Sequence, residues 1–115
     1  MSRSWHDIIE DAVDRNPVPA VLVRIGSPDV EVALSVAPIQ YQETTTLSAP
    51  GAPQTTRKWM APGRRLASAG FPVPPVTGDL IRIPSLGTEA RIATVGAGIA
   101  GGEVVRWDIL EEGIG

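Results

Sequence analysis

From Gly78 to Leu110 the chain runs in short alternating apolar and polar stretches, each closed by Gly or Pro. Leu80 to Ile83, Arg91 to Val95 and Glu103 to Leu110 carry the alternation. Pro84-Ser85-Leu86-Gly87 and a glycine-rich stretch from 96 to 102 separate them. In the last run Val105, Trp107 and Ile109 share one side while Arg106 and Asp108 take the other, the two-residue period of a half-buried strand. Segments this short cannot bury an apolar face alone and must pair with one another. The same punctuation extends over the whole chain: 12 Gly and 11 Pro in 115 residues, against average usage of about 7% and 5%, fall between apolar runs as turns would.

Upstream, the period changes once. Ser4-Trp5-His6-Asp7 fits the Ser-x-x-acid capping pattern, and Trp5, Ile8, Ile9, Ala12 and Val13 then form one helical stripe. Asn16-Pro17 ends it, because a residue before Pro is pushed away from the α region. A helix over residues 4–16 is too short to stand alone in water and must dock on the rest of the chain or on a neighbouring subunit. From Ala20 the period is two. Val21, Val23 and Ile25, a turn at Gly26-Ser27-Pro28-Asp29, and Val30, Val32, Leu34 and Val36 predict a β-hairpin. A weaker strand is expected from Ile39 to Thr45 and another from Thr55 to Met60, anchored by Trp59. Residues 46–56 between them read as a small, uncharged loop, expected to be mobile in the isolated chain. Pro62 to Gly70 predicts one or two helical turns closed by Gly70, and Phe71-Pro72-Val73-Pro74-Pro75 a stiff polyproline connector. With no strand-helix alternation and no internal repeat, the expected fold is mainly β. It is a single domain over residues 1–115, a small antiparallel barrel or sandwich of about six or seven short strands with a short N-terminal amphipathic helix.

Charge and composition limit the function. The net charge of −3 argues against a protein built to neutralise phosphates. Its distribution is uneven: Asp7, Glu10, Asp11 and Asp14 stand without a base, and Arg57, Lys58, Arg64 and Arg65 without an acid. Such asymmetry favours self-complementary association. With no cysteine there is neither a disulfide framework nor thiolate chemistry. The acidic first 20 residues are not a signal peptide, and no run approaches the roughly 18 apolar residues that span a bilayer. A soluble protein with no membrane association is expected.

Few groups could do chemistry. Gly96-Ala97-Gly98-Ile99-Ala100-Gly101 matches G-x-G-x-x-G after a strand, but strand-like alternation follows it instead of a helix, and no ribose-binding acid lies about 20 residues on. A hairpin loop explains it better. His6 is the only histidine and cannot form a typical zinc site without Cys or clustered carboxylates. The helix acids lack the spacing of a calcium loop. No catalytic residue, metal ligand or cofactor site is expected. The basic cluster with Trp59 interleaved leaves one alternative, a small barrel that binds single-stranded nucleic acid or acts as a protein-interaction module.

The second half also resembles the head-tail joining, or head-completion (stopper), proteins of tailed bacteriophages. Arg57-Lys58-Trp59-Met60 is similar to a strand before a short helix, here Arg65-Leu66-Ala67. A Pro-bearing connector, Gly78-Asp79-Leu80-Ile81, Thr94-Val95, a glycine-rich bend and a final Val-x-Trp-x-Ile strand ending near Gly113 follow in the family's order, over residues 55–113. The resemblance implies a non-enzymatic virion protein of the neck, made in the bacterial host cytoplasm, that forms a homo-oligomeric ring. Its partners would be a portal or adaptor protein above, a tail protein below, and double-stranded DNA in transit. It further implies that a loop containing Thr45, Thr46, Ser48, Pro50, Gly51, Pro53 and Thr55 faces the channel. Subunit or partner contacts are expected from Trp5, Ile9, Asp11, Arg57, Lys58, Arg64 and Arg65. The strands at 20–36 carry no family signature, which leaves open an adaptor, stopper, tail-terminator or baseplate position.

Overall fold

In the computed structural model, residues 4–39 and 57–112 are described. Helix α1 (Trp5–Arg15) opens where the capping pattern predicts, with the Asp7 N–H donating to Ser4 Oγ at 3.1 Å. Strands β1 (Val18–Arg24) and β2 (Val30–Pro38) form the expected hairpin, paired from Val18↔Val36 to Arg24↔Val30. β3 (Lys58–Pro62) leads directly into α2 (Gly63–Ser68). β4 (Leu80–Ile83), a 3-10 turn at Pro84–Leu86, β5 (Thr88–Ala100) and β6 (Glu103–Glu111) complete the chain. The six strands close an antiparallel barrel in the order β1-β2-β3-β6-β5-β4. The mainly β fold, the barrel and the N-terminal helix agree with the expectation from sequence.

The interior is filled by side chains that the two-residue period aims inward. Leu22, Val36, Ile81, Ile83, Ile92 and Ile109 are fully buried, packed with Trp59, Leu66 and Phe71. Each buried aliphatic contributes about 1.5–3 kcal/mol relative to exposure. The closure is uneven. β2 meets β3 only at Ala37↔Met60 and Pro38↔Trp59, and α1 and α2 pack beside that seam, against β2, β3 and β6. The docked face of α1 is narrower than its stripe: Ile9 and Val13 are buried, while Trp5 and Ile8 are 57% and 40% exposed. Helix α2 ends as Gly70 predicts. Gly70 has φ of 93°, its N–H bonds to Ala67 O, and the Phe71 N–H bonds back to Leu66 O. This is the Schellman arrangement, with Phe71 and Leu66 in apolar contact.

Two segments differ from expectation, and a third is barely described. β5 does not stop at Val95 but runs on to Ala100, so the turn shrinks to Gly101-Gly102, both with positive φ, as a two-residue hairpin turn demands. Gly96 and Gly98 are strand positions opposite Asp108 and Arg106. Gly98 is small because the Arg106 side chain crosses it: a Cβ there would lie 2.6 Å from Arg106 Cγ. The Pro-rich connector bends at residues 73–74 instead of extending as a straight polyproline helix. Of the strand expected from Ile39 to Thr45, only Ile39 is described, its N–H bonded to Lys58 O. The remainder, the loop at 46–56 and Thr55 lie outside the described residues.

Candidate functional site

Two bases of one charge cluster meet three acids of the other within one chain. Arg64, on the first turn of α2, donates to both Glu10 oxygens at 2.8 and 2.9 Å and to Asp7 at 3.0 Å. Arg65 grips Asp14 with two parallel bonds at 2.8 and 2.9 Å. Hydrogen bonds from Arg64 hold the Asp7 and Glu10 carboxyls below the ordinary range, and those from Arg65 do the same for Asp14. The same bonds raise both guanidinium pKa values. The spacing of the acids explains the fit. Positions 7, 10 and 14 lie on one side of a helix of 3.6 residues per turn, the side turned to α2. Within one chain these residues form an internal clasp between α1 and α2.

Trp59 and Arg57 are also committed. Trp59 is 4% exposed, and its indole N–H donates to the carboxylate of Glu111, itself buried at the end of β6. Arg57 sits 3.4 Å from the same carboxylate. A stacking platform for bases needs an accessible ring, and the buried Trp59 does not supply one. Lys58 is different: it has no ion-pair partner among the described residues. Together with Thr94, Val95, Gly96, Asp108 and Leu110 it lines a depression of about 280 Å³ on the barrel wall, near the lower limit of ligand pockets.

The interface candidates thus separate. Trp5 is exposed, and Ile9 is spent on the docking of α1. Asp11 is half-buried on α1. His6 joins α1 to the β5–β6 hairpin, with Nε2 3.3 Å from Glu103 Oε2. Exposed apolar side chains collect at Trp5 and Ile8 on α1, at Ile99 in the hairpin, and at Ile25, Val73 and Val76. The channel-loop candidates Thr45, Thr46, Ser48, Pro50, Gly51, Pro53 and Thr55 fall outside the described residues.

Sequence reasoning missed one polar centre. Asp79 is 2% exposed and accepts bonds from Arg24 Nε and Nη2 and from the Val76 N–H. Arg24 also donates to Pro72 O at 3.1 Å and Pro74 O at 3.0 Å, with its guanidinium 5.3 Å from the Phe71 ring centroid. Hydrogen bonds to Asp79 raise the Arg24 pKa. The signal was present, since Asp79 is the only acid between Glu43 and Glu89 and stands at the start of an apolar run. Its partner is 55 residues away, beyond the reach of local pattern.

No described cluster of three or more His, Asp or Glu residues could hold a metal ion, and no described helix is long and apolar enough to cross a membrane. Fold and surface together define a small closed β-barrel carrying a clasped helix and a long hairpin. Comparison with family models, with curated proteins and with solved structures finds no match to this chain.

Proposed function

We propose that this chain is a structural subunit of the head-tail connector of a tailed bacteriophage. It forms a homo-oligomeric ring that docks on the portal, closes the DNA channel and offers the tail its attachment surface. One observation carries the reading: the motifs resembling the head-completion proteins occupy consecutive elements of one barrel. Lys58-Trp59-Met60 lies in β3 and Arg65-Leu66-Ala67 in α2. Gly78-Asp79 precedes β4, Thr94-Val95 lies in β5, and Val105, Trp107 and Ile109 lie in β6. The apolar groups left outside, Trp5, Ile8 and Ile99, supply material for subunit and partner contacts of the kind that assembly requires. The neck is a protein-protein assembly, and contacts of this sort, without cofactor chemistry, are what a ring subunit uses.

The test is genetic and then biochemical. Disrupting the gene in its phage should yield DNA-filled heads and free tails that do not join. Trp5→Asp should reproduce part of that defect while the isolated variant keeps its barrel by circular dichroism. Normal yields of tailed, infectious particles from the disrupted gene would overturn the proposal.

A further inference from the structure

β5 is longer than what covers it on one side. β4 pairs only with Thr88 to Arg91, whereas β6 pairs with β5 from Ile92 to Ala100. Past Arg91 the connector adds a little cover. Gly78 N–H donates to Ile92 O at 3.1 Å, Ile92 N–H to Asp79 O at 2.7 Å, and Thr77 Oγ1 to Ala93 O at 3.1 Å. From Val95 onward, no backbone partner lies on that edge among the described residues.

The register identifies the open groups. The Glu111 N–H donates to Arg57 O, on the β3 side of β6. Backbone groups alternate sides along an antiparallel strand, so Leu110, Asp108 and Arg106 address β5 through their partners Thr94, Gly96 and Gly98. Val95 and Ala97, opposite Ile109 and Trp107, therefore turn their N–H and C=O groups away from β6. Irregularities between Ile92 and Thr94 and between Gly98 and Ile99 bound the stretch.

Proteins usually guard such an edge with a charge, a proline or a covering element. Between Ile92 and Gly102 this chain has no charged residue and no proline. The two open residues also straddle Gly96 symmetrically. We propose that this edge pairs with the same edge of a second copy, antiparallel about a twofold axis through Gly96. Val95 then faces Ala97 of the partner subunit, and Ala97 faces Val95 of the partner subunit. Each facing pair exchanges two N–H···O bonds, and no like charges meet across the axis. An extended backbone satisfies these groups as a ladder, and the identical edge supplies one with matching spacing. The contact is isologous and closes at two copies. It is thus separate from the head-to-tail contact of the connector ring and does not depend on that reading.

Analytical ultracentrifugation of the full chain tests it. The wild type should show a concentration-dependent monomer-dimer equilibrium. Ala97→Pro removes one outward donor per copy without touching the β6 ladder, and loss of two of the four bonds should weaken dimerisation by roughly 30-fold. A measurement free of substitution runs alongside: the Val95 and Ala97 amides of the wild type should exchange more slowly as concentration rises. Exchange rates independent of concentration would overturn the proposal, as would dimerisation unchanged in a folded Ala97→Pro chain. A larger ring that forms equally in wild type and Ala97→Pro, with the Val95 and Ala97 amides exchanging at the same rate at every concentration, would support the connector reading and overturn this one.

Discussion

Replacing Arg24 should harm the fold more than replacing Asp79, and the difference can be worked from burial. Asp79 is 2% exposed, whereas the Arg24 side chain is 29% exposed. Asp79→Asn keeps the volume, and its one amide oxygen can still accept from the Val76 N–H and Arg24 Nη2. The amide NH2 in place of Oδ1 cannot accept from Arg24 Nε. One bond is lost and one becomes a neutral-acceptor bond, about 1 kcal/mol each. The freed guanidinium reaches water and keeps the Pro72 and Pro74 carbonyls, so the loss should be about 2 kcal/mol. Arg24→Met instead leaves a carboxylate inside the protein without its cation, which typically costs about 3–5 kcal/mol. The double variant should then be more stable than Arg24→Met alone, because it removes the stranded charge. Urea unfolding followed by tryptophan emission gives all three values. At this size each kcal/mol corresponds to about 4 °C in Tm. An Arg24→Met loss no larger than that of Asp79→Asn, or a double variant less stable than either single, would refute the electrostatic account of the connector.

Three further outcomes follow from the geometry. The Asp7, Glu10 and Asp14 carboxyls have lowered pKa values in the fold, so their contribution is complete above the ordinary carboxylate range and is lost as pH falls through the lowered values. Amide protection of α1 should therefore drop first below about pH 4, and added salt should mimic the effect in part; α1 protection that stays level with that of the barrel strands would contradict the clasp. Gly63→Ala would set a Cβ 2.9 Å from the Val104 carbonyl oxygen, which is fixed backbone. It should cost about 2 kcal/mol despite alanine's helix propensity. Gly98→Ala displaces only the half-exposed Arg106 side chain and should cost less than about 1 kcal/mol; thermal unfolding ranks the two. Because Trp59 is interior and bonded to Glu111, its indole N–H resonance should not move when a single-stranded oligonucleotide is added at low salt, and a dose-dependent shift would restore the nucleic-acid reading.

What was legible in the sequence was local. The β1–β2 hairpin, the Ser4 cap and the Gly70 stop depend on residues within a few positions of each other, and each lies where its pattern indicates. The extent of β5 was not legible. Gly96 and Gly98 resemble turn residues until the Arg106 side chain that crosses Gly98 is in view. The clasp and the two buried acids were hidden for a related reason. Arg64 and Glu10 are 54 residues apart, Trp59 and Glu111 are 52, and only the closed barrel joins them. Opposite charge blocks along a chain show that something will pair, but not whether the partner is the chain itself or another copy.

The strand order bears on how the chain is made. β6 is the last of the six strands to leave the ribosome, yet it lies between β3 and β5. Until it emerges, the ladder that holds β3 among the described residues is its short pairing with β2 and the Ile39 N–H bond to Lys58 O, and the distal part of β5 has no described ladder. The β1–β2 hairpin and β4 can associate during synthesis, but the barrel cannot close around Trp59 until Ile109 and Glu111 are available to it. Closure of the barrel thus waits until β6 has been synthesised. A nascent chain stalled before Glu103 should expose both edges of the gap to chaperones, and release of the last strand should complete the fold in one cooperative step.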